Sequence, residues 1–69
     1  MPIPLTKKQH ELLDFITVYY QKWGFTPTYR EMGKSFGITL SAVWERIGHL
    51  EDAGRIKVHF HKHRGIEIL

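Results

Sequence analysis

The apolar residues of this chain recur at helical spacing over about fifty positions and then change to strict alternation. The first helical stripe consists of Leu12, Phe15, Ile16, Tyr19, Tyr20 and Trp23. Before it, Thr6 and Gln9 have the spacing of a capping box, and after it Gly24 is a residue type at which helices commonly end. The pattern predicts a helix over residues 7–23, with the stripe facing the core.

A second, shorter helix is predicted over residues 29–36. Pro27 pushes the residue before it into extended backbone, and Thr28 with Glu31 forms a second capping box. Gly37 supplies the stop. This segment is therefore a helix of about two turns with a sharply defined start.

The third helical stripe consists of Val43, Ile47 and Leu50. Thr39 is the predicted N-cap, so the helix is expected over residues 40–53, before Gly54. Two short helices joined by a tight turn form the helix-turn-helix pattern, in which the second helix of the pair enters a DNA major groove.

Beyond the third helix the apolar positions alternate, which predicts two strands. Ile56, Val58 and Phe60 are separated by Lys and His, and the alternation resumes at Ile66 and Ile68. We expect strands over residues 56–60 and 65–69, joined by a basic tip and laid on the helices by one apolar face. Residues 1–69 are thus predicted to be a single domain, mainly α with a small β-hairpin, a winged helix-turn-helix.

The composition of the chain argues against several classes of function. The 69 residues carry a net charge of +3 and include no cysteine, which excludes disulfides and cysteine-ligated zinc. No apolar run is long enough for a membrane span, and no Gly-rich phosphate loop or nucleophile–base arrangement is evident. We expect no enzyme activity, cofactor, small-molecule substrate or membrane partner, and a cytoplasmic location. From Arg55 onward, four Lys or Arg and three His face only one acidic residue, a distribution typical of phosphate contact.

Candidate base-reading residues lie on the polar side of the third helix. Ser41, Ala42 and Glu45 point away from its apolar stripe, and their side chains can contact base edges or a thymine methyl group. Trp44 has two interpretations, packing over the core edge or reaching a sugar or thymine methyl group. The full candidate set is Thr39, Ser41, Ala42, Trp44, Glu45 and His49.

Candidate contacts to the DNA backbone come from the second helix and the wing. They are Thr28, Arg30, Arg46, His61, Lys62, His63 and Arg64. The start of the second helix offers backbone N–H donors to a phosphate, and Lys62 and Arg64 are expected at the wing tip. For Arg46 the alternative is a side-chain stem packed along the core margin.

The alternating His59, His61 and His63 allow a competing interpretation, a metal site for zinc, nickel or copper. The three rings share a face only if the strand continues through them, and no nearby cysteine or carboxylate completes the set. We expect a turn near His61 and Lys62 to break that alternation. The basic wing tip, with no metal ligand, is therefore the preferred interpretation.

Four segments resemble a known family: "LTKKQHELLDFI", "PTYREMGKSFGI", "SAVWERIGHLEDAGRI" and "RGIEIL". Their order is similar to that in the DNA-binding domain of LexA, the bacterial SOS repressor. The resemblance implies a third helix that reads bases, a wing that contacts the backbone, and a bacterial or phage origin. Trp44 departs from the smaller or polar residue usual there, and the turn before Ser41 is one residue shorter.

The resemblance implies sequence-specific binding of double-stranded DNA by a repressor module. The family also has a self-cleaving peptidase domain, which we do not expect within these residues, whether they are a fragment of a longer repressor or a stand-alone module. Because one module of this size buries roughly 600–1,000 Å² on DNA, we expect two copies on a palindromic operator, as a homodimer formed there or through a partner. The alternative is a winged-helix adaptor or antirepressor that binds another regulator instead of DNA.

Overall fold

The computed structural model describes residues 4–69 and contains three helices followed by a two-stranded antiparallel sheet. The elements are α1 (Lys7–Trp23), α2 (Tyr29–Phe36), α3 (Leu40–Asp52), β1 (Ile56–Val58) and β2 (Ile66–Ile68). This order confirms the predicted winged helix-turn-helix architecture. In α1 and α2 the bounds agree with the predicted ones, and α3 ends one residue earlier than expected, with Ala53 as its C-cap.

Each helix begins where its cap was predicted. The Thr6 and Thr28 hydroxyl groups accept hydrogen bonds from the backbone N–H groups of Gln9 and Glu31 at 3.2 and 3.1 Å, and both capping boxes are complete. The Thr39 hydroxyl accepts from Ala42 N at 3.2 Å. These local bonds fix where α2 and α3 begin, and so how the helix-turn-helix presents its second helix.

The core lies where the three helices meet the sheet. It consists of Leu12, Ile16, Met32, Val43, Ile47, Leu50, Ile56 and Ile66. At the turn between α2 and α3, a Cβ on Gly33 would lie 3.0 Å from the Ile38 carbonyl oxygen, tighter than a side chain normally tolerates. The two helices approach this closely because position 33 carries no side chain.

Three aromatic residues expected in the core are exposed. Tyr20 and Trp23, at the end of α1, are half exposed, and Phe60 is 69 % exposed. The end of α1 packs instead on neighbouring aromatic rings, with Tyr19 6.3 Å from Trp23 and 6.0 Å from Phe25. The predicted apolar stripe of α1 is therefore wrong in its last turn, where aromatic residues cover one another.

Both wing strands are shorter than predicted. They pair in the register Ile56–Ile68, Lys57–Glu67 and Val58–Ile66, and the residues between form the turn. His59 N donates to Gly65 O at 2.8 Å and closes the hairpin. The first strand therefore ends at Val58, two residues before its predicted end. Phe60 thus belongs to the turn, which explains why it does not face the core. None of the helices between residues 4 and 69 is long and apolar enough to cross a membrane.

Candidate nucleic-acid interface

The outer face of α3 is open to solvent. Because Val43, Ile47 and Leu50 all point into the core, the opposite side of the helix carries the candidate base-reading residues. Thr39, Ser41, Trp44, Glu45 and His49 are exposed, and Ala42 is half-buried. The Thr39 hydroxyl is engaged in the cap, whereas no hydrogen bond within the described chain occupies Ser41 or Glu45. The whole predicted set therefore lies on α3 or at its N-cap.

His49 is oriented by α1. The side-chain amide of Gln9 donates to His49 Nδ1 at 2.9 Å, which requires the tautomer protonated on Nε2. The carbonyl end of the same amide accepts from Thr6 N at 3.0 Å in the capping box. Gln9 therefore both caps α1 and fixes the His49 tautomer, whose N–H donor at Nε2 makes no hydrogen bond among the described residues.

Trp44 lies in an aromatic cluster that joins three elements. Tyr29 of α2 meets the indole edge-on at 4.7 Å, and Phe60 of the wing turn lies parallel to it within 7°, with centroids 6.1 Å apart. Burial, and to a smaller extent the Glu51 carboxylate, raises the pKa of the Tyr29 phenol above its ordinary value of 10.0. Trp44 is nevertheless 53 % exposed, so it is no core residue.

A groove of about 370 Å³ separates the start of α3 from the wing. Pro27, Val58 and Ile66 contribute its apolar lining, and Trp44 and Phe60 stand at its sides. Its basic lining residues Arg30, Lys62 and His63 are exposed, as is the neighbouring His61 of the turn. Thr28 also lines the groove, half-buried, and its hydroxyl serves the N-cap of α2. The groove thus combines an apolar interior with cationic edges.

Arg64 points toward the helices, away from the tip of the wing. Its guanidinium forms a two-bond ion pair with Glu31, with Nη1–Oε1 at 2.7 Å and Nη2–Oε2 at 3.2 Å. It also donates to Thr26 O at 3.1 Å and lies 4.4 Å from the centre of the Phe25 ring. Contact between Arg64 and a phosphate stays a prediction. The sequence led us to expect an unpaired cation at the wing tip, whereas the Arg64 side chain is paired with Glu31.

The Glu31 carboxylate receives several donors besides Arg64. Thr28 N donates to Oε1 at 2.7 Å and the Tyr19 hydroxyl donates to Oε2 at 3.0 Å. The Arg64 guanidinium is the largest cause, followed by the Thr28 backbone N–H, of a Glu31 pKa lowered from 4.5 to about 2. Glu31 therefore stays ionised at neutral pH and ties the N-cap of α2 to the base of the wing.

His59 is bound within the wing by Glu67, with Nε2–Oε1 at 2.8 Å. This hydrogen bond is the main cause of a lowered Glu67 pKa. Within residues 4–69, no group of three His, Cys, Asp or Glu side chains is arranged to hold a metal ion. The alternation that would align His59, His61 and His63 ends at the turn, so nothing in the described chain favours the metal interpretation.

A second groove, of about 310 Å³, flanks α3 on the side of α1. Lys8, Gln9 and Arg46 line it together with Ala42, Glu45 and His49. Arg46 is half-buried, and its guanidinium makes no hydrogen bond among the described residues. The outer face of α3 therefore has basic side chains on both sides, from the wing and α2 on one side and from α1 on the other.

Several residues of this surface were absent from the sequence-based set. Lys8 and Gln9 were assigned only to the first turn of α1, and Phe60 to the core. Tyr29 drew no prediction. The signal available for Gln9 was its capping-box position, which points to Thr6 and carries no information about α3. Tyr29 and Phe60 become neighbours of Trp44 only through the fold.

The chain matches the model of the family described as "LexA DNA binding domain" over residues 3–65. It is 38 % identical over 65 residues to the LexA repressor of Leptospira interrogans, covering 94 % of this chain and 32 % of that protein. The Bacillus mycoides LexA repressor is 41 % identical over 66 residues, with the same two coverages. The Koribacter versatilis LexA repressor is 32 % identical over 68 residues, 97 % of this chain and 32 % of the relative. The chain spans about a third of the length of these relatives, and it belongs to the LexA DNA-binding domain family.

Proposed function

We propose that this chain binds double-stranded DNA sequence-specifically and acts as the DNA-binding part of a transcriptional repressor. The observation that carries the proposal is the exposed polar face of α3, flanked on both sides by grooves with basic edges. A helix fits the major groove, and cations on either side of it match the two phosphate strands that border that groove. Such a repressor module works in the cytoplasm, at the chromosome.

The base contacts are assigned to the outward residues of α3. Ser41 can donate to or accept from a base edge, Glu45 can accept from cytosine N4, and the Ala42 methyl can touch thymine. The Nε2–H of His49 supplies a donor whose direction Gln9 sets. Thr39 contributes from the helix start, and Trp44 is treated separately below. Each well-made base contact contributes about 1–3 kcal/mol of discrimination against a wrong base.

The backbone contacts are assigned to both flanks. Arg30, Lys62, His61 and His63 lie on the wing side, where the N-terminus of α2 near Thr28 adds partial positive charge. On the α1 side we assign Lys8 in addition to Arg46, since both line the second groove. Arg64 serves DNA binding chiefly by positioning the wing.

We further propose that two copies bind a palindromic operator and form a homodimer on it. A single module buries too little surface for tight specific binding, and dyad-related half-sites about one helical turn apart would double the contacts. In this proposal recognition by these 69 residues requires no self-cleaving peptidase domain.

The test is selection of bound duplexes from a random pool. The expected result is a recurring motif, with two half-sites in inverted orientation if the palindrome proposal is correct. Recovery of duplexes without sequence preference, or failure to recover any, would contradict the proposed function. A single half-site would contradict only the proposed palindrome.

Point variants then distinguish residues that contact the DNA backbone from residues that contact the bases. Lys62→Ala and Lys8→Ala should weaken binding to all sequences alike and each lower the salt slope by about 1. Glu45→Ala should change the preferred base with little effect on the salt slope. Lys22→Ala is the matched control, since Lys22 lines neither groove and sits 5.1 Å from the Trp23 ring.

The adaptor alternative has one observation in its favour. Val18, Tyr20, Trp23 and Phe25, on the second half of α1 and just beyond it, are exposed to between 42 and 60 %. Exposed apolar patches commonly mark protein interfaces. If none of the groove variants alters DNA binding, or no duplex binds, this patch becomes the better candidate for function.

A further inference from the structure

Trp44 and Phe60 expose an unusual amount of apolar surface beside the reading face. They are 53 % and 69 % exposed, and Leu40 next to them is 47 % exposed. In a small domain with a thin core, large aromatic side chains left in water point to a contact with a partner. The rings are nevertheless ordered against each other and against Tyr29, so this surface is preformed.

The position of Trp44 on α3 places it at the border of the base-reading face. At 3.6 residues per turn it lies about 60° around the helix axis from Ser41 and about 100° from Glu45. It is the member of the set nearest the wing, and it lines the wing-side groove, whereas Ala42, Glu45 and His49 line the groove on the α1 side. Because the indole is 53 % exposed at this border, it can reach the base edges nearest the wing when α3 enters a major groove.

The basic edge of the same groove indicates what passes through it. Arg30 and Lys62 both line the groove, together with the aromatic pair. This charge fits one phosphate strand running between α3 and the wing. The base edges in a major groove present mainly hydrogen-bond donors and acceptors. The one apolar group that a base presents there, and that an apolar ring can contact, is the 5-methyl group of thymine.

We propose that Trp44 is a specificity-determining residue that selects thymine through its 5-methyl group, and that Phe60 of the wing is the residue that positions the indole. The proposal rests on the proposed function, since it requires α3 in a major groove. It assigns to the wing a share in base preference in addition to backbone contact. The Phe60 ring, parallel to the indole, limits where the indole can swing away from the bases.

The experiment replaces thymines with uracils, one at a time, in the duplex obtained by selection. Uracil keeps every hydrogen-bonding group of thymine and lacks only the methyl group. For the unaltered chain, one position in each half-site should lose about fourfold in affinity, the value of one buried methyl group. In Trp44→Ala the thymine and uracil duplexes should bind equally at that position, and Trp44→Phe should retain part of the difference.

Trp23→Ala is the matched control, because Trp23 is equally exposed, at 54 %, but lies at the end of α1. It should keep the full thymine preference. Phe60→Ala should reduce the ratio of thymine to uracil affinity without changing the salt slope, which a merely structural loss would not do. A ratio that stays constant in Phe60→Ala would overturn its positioning role.

The proposal is overturned if no uracil weakens binding of the unaltered chain, or if Trp44→Ala keeps every difference. If replacing thymine by uracil at some other base position weakens binding equally in Trp44→Ala, that thymine methyl group is assigned to Ala42 and does not support the proposal for Trp44. The uracil scan on the unaltered chain needs no variant to fold. If selection recovers no preferred duplex, both proposals fail; if it does and the scan is flat, only this one fails.

Discussion

Glu31 and Glu67 are two of the carboxylates that hold the wing, and they do so in different surroundings. Glu31, on α2, binds Arg64 through two hydrogen bonds and receives further donors from Thr28 and Tyr19. Glu67, on β2, makes one bond, to His59, and its side chain is 55 % exposed against 38 % for Glu31. We call the Glu31–Arg64 pair the inner attachment, because it joins the wing to the helices. We call the His59–Glu67 pair the outer attachment, because it joins two residues within the wing.

This difference between the two carboxylates indicates that the helix-turn-helix itself orients the wing. Glu31 is at once the N3 residue of the α2 capping box and the anchor of Arg64, so the start of α2 and the base of the wing move together. Thr26, just before α2, adds a buried hydrogen bond from its hydroxyl to Ile66 O at 2.8 Å. The outer His59–Glu67 pair contributes little, because exposed pairs are screened by water and salt.

The largest expected effect comes from adding a side chain at Gly65, in the wing turn next to Arg64. A Cβ on Gly65 would overlap the carbonyl oxygen of His59 and come within 2.9 Å of that of Lys62, both of them backbone atoms. Gly65→Ala should therefore force the wing turn open and lower the free energy of unfolding by about 2–3 kcal/mol. Urea unfolding followed by circular dichroism measures it.

Gly48→Ala is the control for that substitution. A Cβ at Gly48 has nothing within 4 Å and lies within α3, so alanine should stabilise the chain by about 0.5–1 kcal/mol. Equal destabilisation by the two substitutions would show that the turn has no special packing. Gly65→Ala should also weaken DNA binding, because the turn carries Lys62.

Removing the charge at the inner attachment is the next largest change. Glu31→Gln keeps the capping geometry and loses the ion pair with Arg64, so the free energy of unfolding should fall by about 1 kcal/mol after allowance for solvent screening. For a domain of this size that is roughly 4–8 °C in Tm. An unchanged Tm, measured by thermal unfolding at pH 7, would mean that the inner attachment is no stronger than the outer one.

The pH dependence of the same variant sharpens the comparison. Because folding lowers the pKa of Glu31 from 4.5 to about 2, its contribution is complete above pH 4.5 and disappears as the pH falls toward 2. The Tm difference between the original chain and Glu31→Gln should therefore shrink over that interval. A difference that stays constant from pH 7 to pH 2 would contradict the assignment.

The smallest effect is expected at the outer attachment. The pKa of Glu67 is also lowered, chiefly by His59, so the sign is the same: stability is present above pH 4.5 and lost below it. Since the pair is exposed, Glu67→Gln should change Tm less than Glu31→Gln does. Thermal unfolding of both variants in parallel decides this, and a larger shift for Glu67→Gln would reverse the order of the two attachments.

Local signals in the sequence carried much of the fold. Capping pairs act over three residues and apolar stripes over one or two turns, so the three helices could be placed to within a residue. The outer face of α3 followed from its stripe by elimination. The strand ends were wrong by up to two residues, because a hairpin turn can begin at any point of an alternating segment, and here the His59–Gly65 bond set it.

The remaining features depend on residues far apart in the chain. Arg64 meets Glu31 across 33 positions and Gln9 meets His49 across 40, and no periodicity connects them. The sequence by itself determined the helices, their caps and which side of α3 faces outward, because those depend on neighbours within a few residues. Only the tertiary structure decided that Arg64 turns inward and that Trp44 lies against Phe60, because packing of the wing on the helices selects those partners.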